Sequence, residues 1–255
     1  MRYVYILSSL LLLSCQQPKE ESISAESLGH DLYELDELAS ESMNFSEEAQ
    51  LLTDWDKRFI DAGLTNIQDI LPDVLVDLKY SSTDNFFGQD VYDDLENAYL
   101  QPEVAAMLLK AHENLQEKNP SFTFLIYDAV RPRTVQQILW DNLDKPDSLK
   151  PLYVADPKVG SLHNYGVAVD LTLVDKKTRL PLDMGTKYDY FGYPAYPDRE
   201  AQMLKEGKIT QKHIDNRKLL REVMLSAGFT GIGSEWWHFN AFSRKEASLK
   251  YEIVP

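Results

Sequence analysis

The apolar positions change period several times along the chain, and each change predicts an element. Gln101–Asn119 puts Val104, Met107, Leu108, Ala111 and Leu115 on one face at helical spacing, with Pro102 near its start and Asn119-Pro120 at its end. Gly166–Val174 alternates instead, with Val167, Val169, Leu171 and Leu173 set against Ala168, Asp170 and Thr172, the period of a strand. Phe122–Val130 reads as a second strand and Val74–Tyr80, behind Pro72, as a third. Glu235–Phe242 and Tyr251–Val254 read as late strands. Ser46–Ala62 reads as a helix, with Ser46 as N-cap, Glu47 and Glu48 in its first turn and Gly63 closing it. Thr134–Leu143 and Thr210–Ala227 are further helices, the second closed by Gly228. Helices and strands mix without a regular βαβ alternation, and no internal repeat appears. The pattern predicts an α+β domain with a central, mainly antiparallel sheet and flanking helices.

The first residues follow another pattern. Met1-Arg2 is a short basic start and Tyr3–Ser14 an apolar run rich in Leu. A bilayer span needs about 20 apolar residues, so the run fits the core of a signal peptide better. It ends Leu12-Leu13-Ser14-Cys15, which resembles the lipobox of bacterial lipoproteins. That resemblance implies cleavage before Cys15, lipidation of Cys15 and an exported, membrane-anchored protein facing the periplasm or the cell surface. Several acyl chains would hold it firmly, where one binds only marginally. Gln16–Asn44 is polar and acidic, with Lys19-Glu20-Glu21 and isolated Leu32, Leu35 and Leu38, and reads as a tether. The expected division is a signal peptide at 1–14, an acidic tether at 15–45 and one domain at 46–255.

Charge narrows the partners. The 255 residues carry a formal net charge of -15, and so acidic a surface repels nucleic-acid phosphates, which excludes that class. Cys15 is the single cysteine, so no internal disulfide can form.

Candidate chemistry gathers in Gly160–Asp175, where His163 and Asp170 stand seven positions apart around Gly166, and in Glu235-Trp-Trp-His238. Asp170 lies between Val169 and Leu171, and an aspartate inside an apolar strand is costly to bury unless paired or metal-bound. A hydrolytic zinc site usually keeps three ligands from His, Asp and Glu with one position open. His163, Asp170 and His238 can supply that set, although the same ligands suit other divalent ions. Glu235 is three residues from His238, and an odd offset in a strand points to opposite faces. For both to serve one site, Glu235 must occupy a turn or bulge, which Ile232-Gly233-Ser234 would allow. A carboxylate there, outside the ligand set, is the natural general base. Arg131, leaving the Phe122–Val130 strand, can reach a cleft to stabilise an oxyanion or can pair with Asp128. His30, His112 and His213 have charged neighbours at helical spacing and read as packed or surface histidines. Trp236 and Trp237 read as core or pocket wall.

Ser161-Leu-His163-x-x-Gly166-x-Ala168-x-Asp170 together with Glu235-Trp-Trp-His238 resembles the VanX-type D-alanyl-D-alanine dipeptidases, a zinc D,D-peptidase family. The likeness runs from about Leu64 to Pro255 and takes in Asp77-Leu-Lys-Tyr80, Asp84-Asn85-Phe86, Asp128–Pro132, Met184-Gly185 and Asp189. It implies a zinc D,D-peptidase-like fold, a catalytic domain at 46–255, one Zn²⁺ per chain held by His163, Asp170 and His238, and Glu235 as general base. It further implies that Arg131 stabilises the oxyanion, Asp189 holds the substrate ammonium, and Tyr80 and Ser161 line the dipeptide cleft. Asp189 has no motif strength of its own and also reads as a solvated loop acid. The implied substrate is D-Ala-D-Ala or a related small dipeptide from cell-wall peptide turnover. Familiar family members act in the cytoplasm, so the export signal sets this chain apart. Two alternatives stand beside this reading: a zinc D,D-carboxypeptidase trimming longer peptidoglycan stems, and a lipoprotein that only binds wall peptides.

Overall fold

The structure is a computed structural model that describes residues 52–254. The expected signal peptide at 1–14, Cys15, the tether at 15–45, His30 and the Ser46 helix start lie outside the described residues. The apolar alternation around Val169 becomes the middle strand of a sheet. In chain order the strands are β1 (Thr65–Asn66), β2 (Leu75–Val76), β3 (Tyr99–Leu100), β4 (Phe122–Asp128), β5 (Ala168–Asp175), β6 (Thr230–Gly231) and β7 (His238–Asn240). Five of them form one sheet in the order β2-β4-β5-β7-β6, while β1 and β3 pair separately. Within the large sheet only β2 and β4 run parallel; the other neighbours are antiparallel. The fold is α+β with a mainly antiparallel sheet, as the periodicities predict.

The helices are α1 (Asp54–Asp61), α2 (Ile67–Ile70), α3 (Pro102–Lys118), α4 (Arg133–Asn142), α5 (Glu200–Lys205), α6 (Gln211–Ser226) and α7 (Arg244–Lys250). The longest, α3, buries Val104, Leu108, Ala111 and Leu115 and packs against β4 and α6. Each fully buried leucine contributes roughly 1.5–3 kcal/mol. His112 on the same face is buried and meets Thr123 Oγ1 at 3.2 Å. His213 closes a capping box at the start of α6, accepting from Thr210 N–H at 3.1 Å and meeting Asp183 Oδ2, also at 3.1 Å. Both are structural histidines, as expected.

Three expectations need correction. Val74–Tyr80 is a strand only at Leu75–Val76. Asp77 N–H still reaches Ile126 O, but the chain then enters a 3₁₀ turn at Lys79–Ser81. Lys79 Nζ sits 2.7 Å from both Asp77 and Asp84, and Tyr80 turns inward. Tyr251–Val254 is extended but belongs to no sheet, because its partners are loops: Val254 N–H donates to Asn164 O and Val254 O accepts from Arg133 N–H. Just before it stands α7, which the strand reading passed over. Its signal was Ser243-x-x-Glu246, where Glu246 N–H donates to Ser243 Oγ and Ser243 N–H to Glu246 Oε2. Glu235–Phe242 likewise shortens to His238–Asn240, with Glu235 in the bend ahead of the strand.

The described part of the first helix is capped at Thr53, whose hydroxyl accepts from Asp56 N–H. Asp56 is buried, and its Oδ1 accepts from Tyr99 O–H at 2.7 Å and Asn97 Nδ2 at 3.0 Å. Burial alone would raise this carboxyl, but the hydrogen bonds from Tyr99, Asn97 and Thr53 outweigh it and hold it below its ordinary value. A depressed folded-state pKa gives stability that is present above the unfolded value and lost as pH falls through the folded one. Asp56→Ala should therefore destabilise the protein by about 1–3 kcal/mol near neutrality. The gap from wild type should shrink as pH drops below about 4. Urea unfolding at several pH values checks both the size and the direction.

Candidate metal centre and its cleft

Register brings the first two residues together. Asp170 on β5 lies directly opposite His238 on β7, and cross-strand partners share a face of the sheet. His238 Nδ1 stands 2.9 Å from Asp170 Oδ1. His163 arrives from the 3₁₀ turn His163–Tyr165, which ends on Gly166 at φ 68°, a left-handed conformation that glycine adopts without strain. A Cβ at Gly166 would sit 3.0 Å from Leu64 Cδ2, so the close approach also favours glycine. His163 Nε2 is 3.2 Å from His238 Nδ1 and 3.4 Å from Asp170 Oδ1.

The outer nitrogens fix which inner nitrogen is free. His163 Nδ1 lies 2.7 Å from the carbonyl of Ala129, so it carries the proton and leaves Nε2 as a lone pair. His238 Nε2 is 2.8 Å from Asn240 Oδ1, which leaves Nδ1 facing inward when Nε2 is the donor. Tyr188 O–H donates to Asp170 Oδ2 at 2.9 Å and leaves Oδ1 to the centre. A tetrahedral ion with bonds of about 2.0–2.1 Å needs donors roughly 3.3 Å apart. The three separations here lie close to that, so the donor set fits a metal ion without rearrangement. All three residues are those the sequence singled out.

Electrostatics agree with the geometry. Burial would raise Asp170, but the two imidazoles hold it well below the usual carboxylate range. Burial would lower His238, but Asp170, with Glu235 beside it, pushes it up to about 9. Glu235 Oε2 is 3.9 Å from His238 Nδ1, near the donors but outside them. It occupies the bend that the odd spacing required. Burial raises its pKa, against the pull of His238.

A β-bulge sets the next layer. Ile126 pairs with Leu171 and Asp128 with Asp170, so Tyr127 is the extra residue and Asp128 is turned onto the site's face. Arg131 Nε donates to Asp128 Oδ2 at 2.9 Å and Nη2 to the same oxygen, while Nη1 donates to Gln136 Oε1 at 2.9 Å. The guanidinium carbon lies 4.9 Å from the Tyr80 ring centre. The two readings of Arg131 are thus not exclusive, for it is salt-bridged to Asp128 and also lines the cleft.

That cleft, of about 310 Å³, is lined by Tyr80, Arg131, Ser161, His163, Asp170, Asp189, Glu235 and His238 among others. Every site residue expected within the domain is therefore in one cavity. Asp189 takes the left-handed region at φ 55°, uncommon for a residue with a side chain, and its Oδ2 accepts from Tyr80 O–H at 3.0 Å. Burial pushes its carboxyl well up and the charge of Asp170 adds to this, opposed by the Tyr80 hydrogen bond. It is not a solvated loop acid. Trp237 walls the cleft, and Trp236 Nε1 donates to Thr186 Oγ1 at 2.8 Å, which ties down the segment carrying Tyr188 and Asp189. Tyr188, Asn240 and Gln136 escaped the sequence reading. Asn240 alone had a signal, two residues beyond His238 on the same strand face.

Three convergent donors beside a non-ligating carboxylate, in a small closed cleft, define a metal-dependent hydrolase site. The profile of the D-ala-D-ala dipeptidase family matches residues 60–252. A D-alanyl-D-alanine dipeptidase of Escherichia coli (strain K12) is 35% identical over 176 residues, 69% of this chain and 83% of that protein. One from Enterococcus faecium is 28% identical, covering 71% of this chain and 92% of its own. The chain belongs to the D-Ala-D-Ala dipeptidase family of metallopeptidases. A solved D,D-dipeptidase, VanXYg with a D-Ala-D-Ala phosphinate analogue, aligns at a TM-score of 0.36 and 21% identity, covering 61% of this chain and 60% of that one.

Asn240→Ala should weaken metal binding roughly tenfold to a hundredfold, because His238 loses the partner that fixes its orientation. Competition with a chromophoric chelator measures this, and unchanged affinity would remove Asn240 from that role.

Proposed function

We propose that this protein hydrolyses D-alanyl-D-alanine to two D-alanines, with one zinc ion held by His163, Asp170 and His238. The observation that carries the reading is the near-tetrahedral spacing of three donors with Glu235 beside them, in a chain of this family. Zinc, when bound, lowers the pKa of a water from 15.7 towards about 7 and polarises the scissile carbonyl.

The protein's residues do the rest. Glu235 takes the proton of the attacking water and passes it to the leaving amine. Its raised pKa suits both directions of transfer, since proton donors and acceptors work best near the operating pH. Arg131, held rigid by Asp128 and Gln136, offers its remaining N–H groups to the oxyanion that develops on the carbonyl oxygen. Asp189, fixed by Tyr80, receives the substrate ammonium. A buried carboxylate whose contact is one neutral hydroxyl is costly alone, and an ammonium supplies the missing charge. Ser161 and Tyr80 line the space between. The Tyr80–Asp189 contact closes the ammonium end of the cleft, which favours a dipeptide over a longer stem.

The role that fits is turnover of dipeptides released from cell-wall peptides. The lipobox-like Leu12–Cys15 supports an exported lipoprotein anchored through Cys15. Mass spectrometry of the mature N-terminus checks this: lipidated Cys15 is expected, and Cys15→Ser should abolish the acylated species.

Purified protein with zinc should cleave D-Ala-D-Ala in a chelator-sensitive manner and leave a D-Ala-D-Ala-terminated pentapeptide intact. Cleavage of the pentapeptide would make it a carboxypeptidase; bound zinc with no cleavage would favour a binding lipoprotein. Glu235→Ala should keep stoichiometric zinc and lose at least about a hundredfold in kcat. Retained activity would remove Glu235 from the proton transfer.

A further inference from the structure

A dipeptide is a zwitterion, and the cleft described so far accounts for one of its ends. Asp189 faces the ammonium. The cations that line the cleft are Arg131 and Arg244. Arg131 is committed: its Nε and Nη2 donate to Asp128 and its Nη1 to Gln136. Asp128 neutralises it, so it offers little net charge to a second carboxylate. Arg244 is different. It is exposed, and it is the first residue of α7, where the reciprocal bonds between Ser243 and Glu246 fix its backbone. Its Nη1 donates to Gly160 O at 2.6 Å and Val159 O at 3.2 Å. Both partners are neutral carbonyls, and among the described residues no carboxylate pairs with it.

The two carbonyls place Arg244 next to Ser161. Ser161 is buried, its hydroxyl oxygen accepts from His163 N–H at 3.3 Å, and its own hydrogen remains to donate into the cleft. A guanidinium with Nε and Nη2 free, beside a hydroxyl donor, is a carboxylate receptor in its chemistry. This group stands with Ser161, while Arg131, Tyr80 and Asp189 form the other cluster. His163, two residues beyond Ser161, lies between these clusters with the other metal donors.

We infer that Arg244, with Ser161, binds the free C-terminal carboxylate of the substrate and makes the enzyme select peptides that end one residue beyond the scissile bond. Asp189 reads where the peptide begins and Arg244 reads where it ends. This rests on the dipeptidase reading, because a carboxylate beside the leaving amine exists only if one residue follows the cleaved bond.

The test uses the full-length protein in detergent, loaded with zinc, and two substrates that differ in one group: D-Ala-D-Ala and D-alanyl-D-alaninamide. Wild type should prefer the acid over the amide. Arg244→Met should lower kcat/KM for the acid by roughly 10- to 100-fold, the range of a lost charge-assisted hydrogen bond. The same change should leave the amide within about twofold. Arg244→Gln, which keeps a donor for the Gly160 carbonyl without the charge, should behave like Arg244→Met. If Arg244 only ties down the 159–160 turn, both substrates will suffer equally and the acid-to-amide ratio will not move, which overturns the inference. A partly unfolded variant also lowers both rates together, so the ratio stays readable. Wild type that cleaves the acid while the ratio survives in both variants removes Arg244 alone. Wild type that cleaves neither substrate overturns the dipeptidase reading itself.

Discussion

Burial of the Asp170 carboxylate in the middle of an apolar strand is the constraint from which the site follows. Val169 and Leu171 beside it are both 0% exposed, and Asp170 is 3% exposed. A carboxylate cannot occupy such a position without compensating charge or hydrogen bonds. Three groups provide it here: His238 across the ladder, His163 from the turn before the strand, and the hydroxyl of Tyr188. A slip of one residue in the pairing of β5 and β7 would turn Asp170 or His238 to the opposite face and leave the charge unpaired. The register that buries the apolar residues is therefore also the register that assembles the donors.

A second buried carboxylate lies next to the first, and its presence explains the buried arginine. The bulge at Tyr127 turns Asp128 onto the face that holds Asp170. Two neighbouring anions in a low-dielectric site repel strongly. Arg131, fixed from above by Gln136, whose own amide donates to Ala155 O, supplies the opposing charge. The arginine is thus rigid before any substrate arrives, and a preorganised donor needs no reorganisation at the moment of reaction.

The far wall of the cleft is a segment without regular structure, and it is held by buried anchors. Arg217 is fully buried and donates from Nε to Met184 O at 2.7 Å and from Nη2 to Pro194 O at 2.8 Å. Trp236 reaches Thr186 from the strand side. These contacts clamp the stretch that carries Tyr188 and Asp189 at both ends and in its middle. Such clamping lets Asp189 keep its left-handed backbone, because strain of that kind persists only where surrounding contacts over-determine it.

How much of this was legible in the sequence differs by element. The long helix around Leu108, the strand around Val169 and the α+β class follow from periodicity, because buried faces repeat at the spacing of the backbone. His163, Asp170 and His238 were legible because a charged residue inside an apolar run demands a partner, and Glu235 because its odd offset demanded a bend. The short strand at Leu75–Val76 and the extended Tyr251–Val254 were not, because local propensity does not say which neighbour receives a backbone hydrogen bond. The Arg131–Asp128 pair was visible in sequence, but its choice between ion pair and cleft was not. Tyr188, Gln136 and Arg244 carried no local mark, since each acts on residues distant in the chain. The sequence by itself determined the element types and the metal donors, through periodicity and the cost of burying charge. Only the tertiary structure decided which polar groups orient those donors and which cation faces the cleft unpaired, because hydrogen-bond partners are set by distance in space.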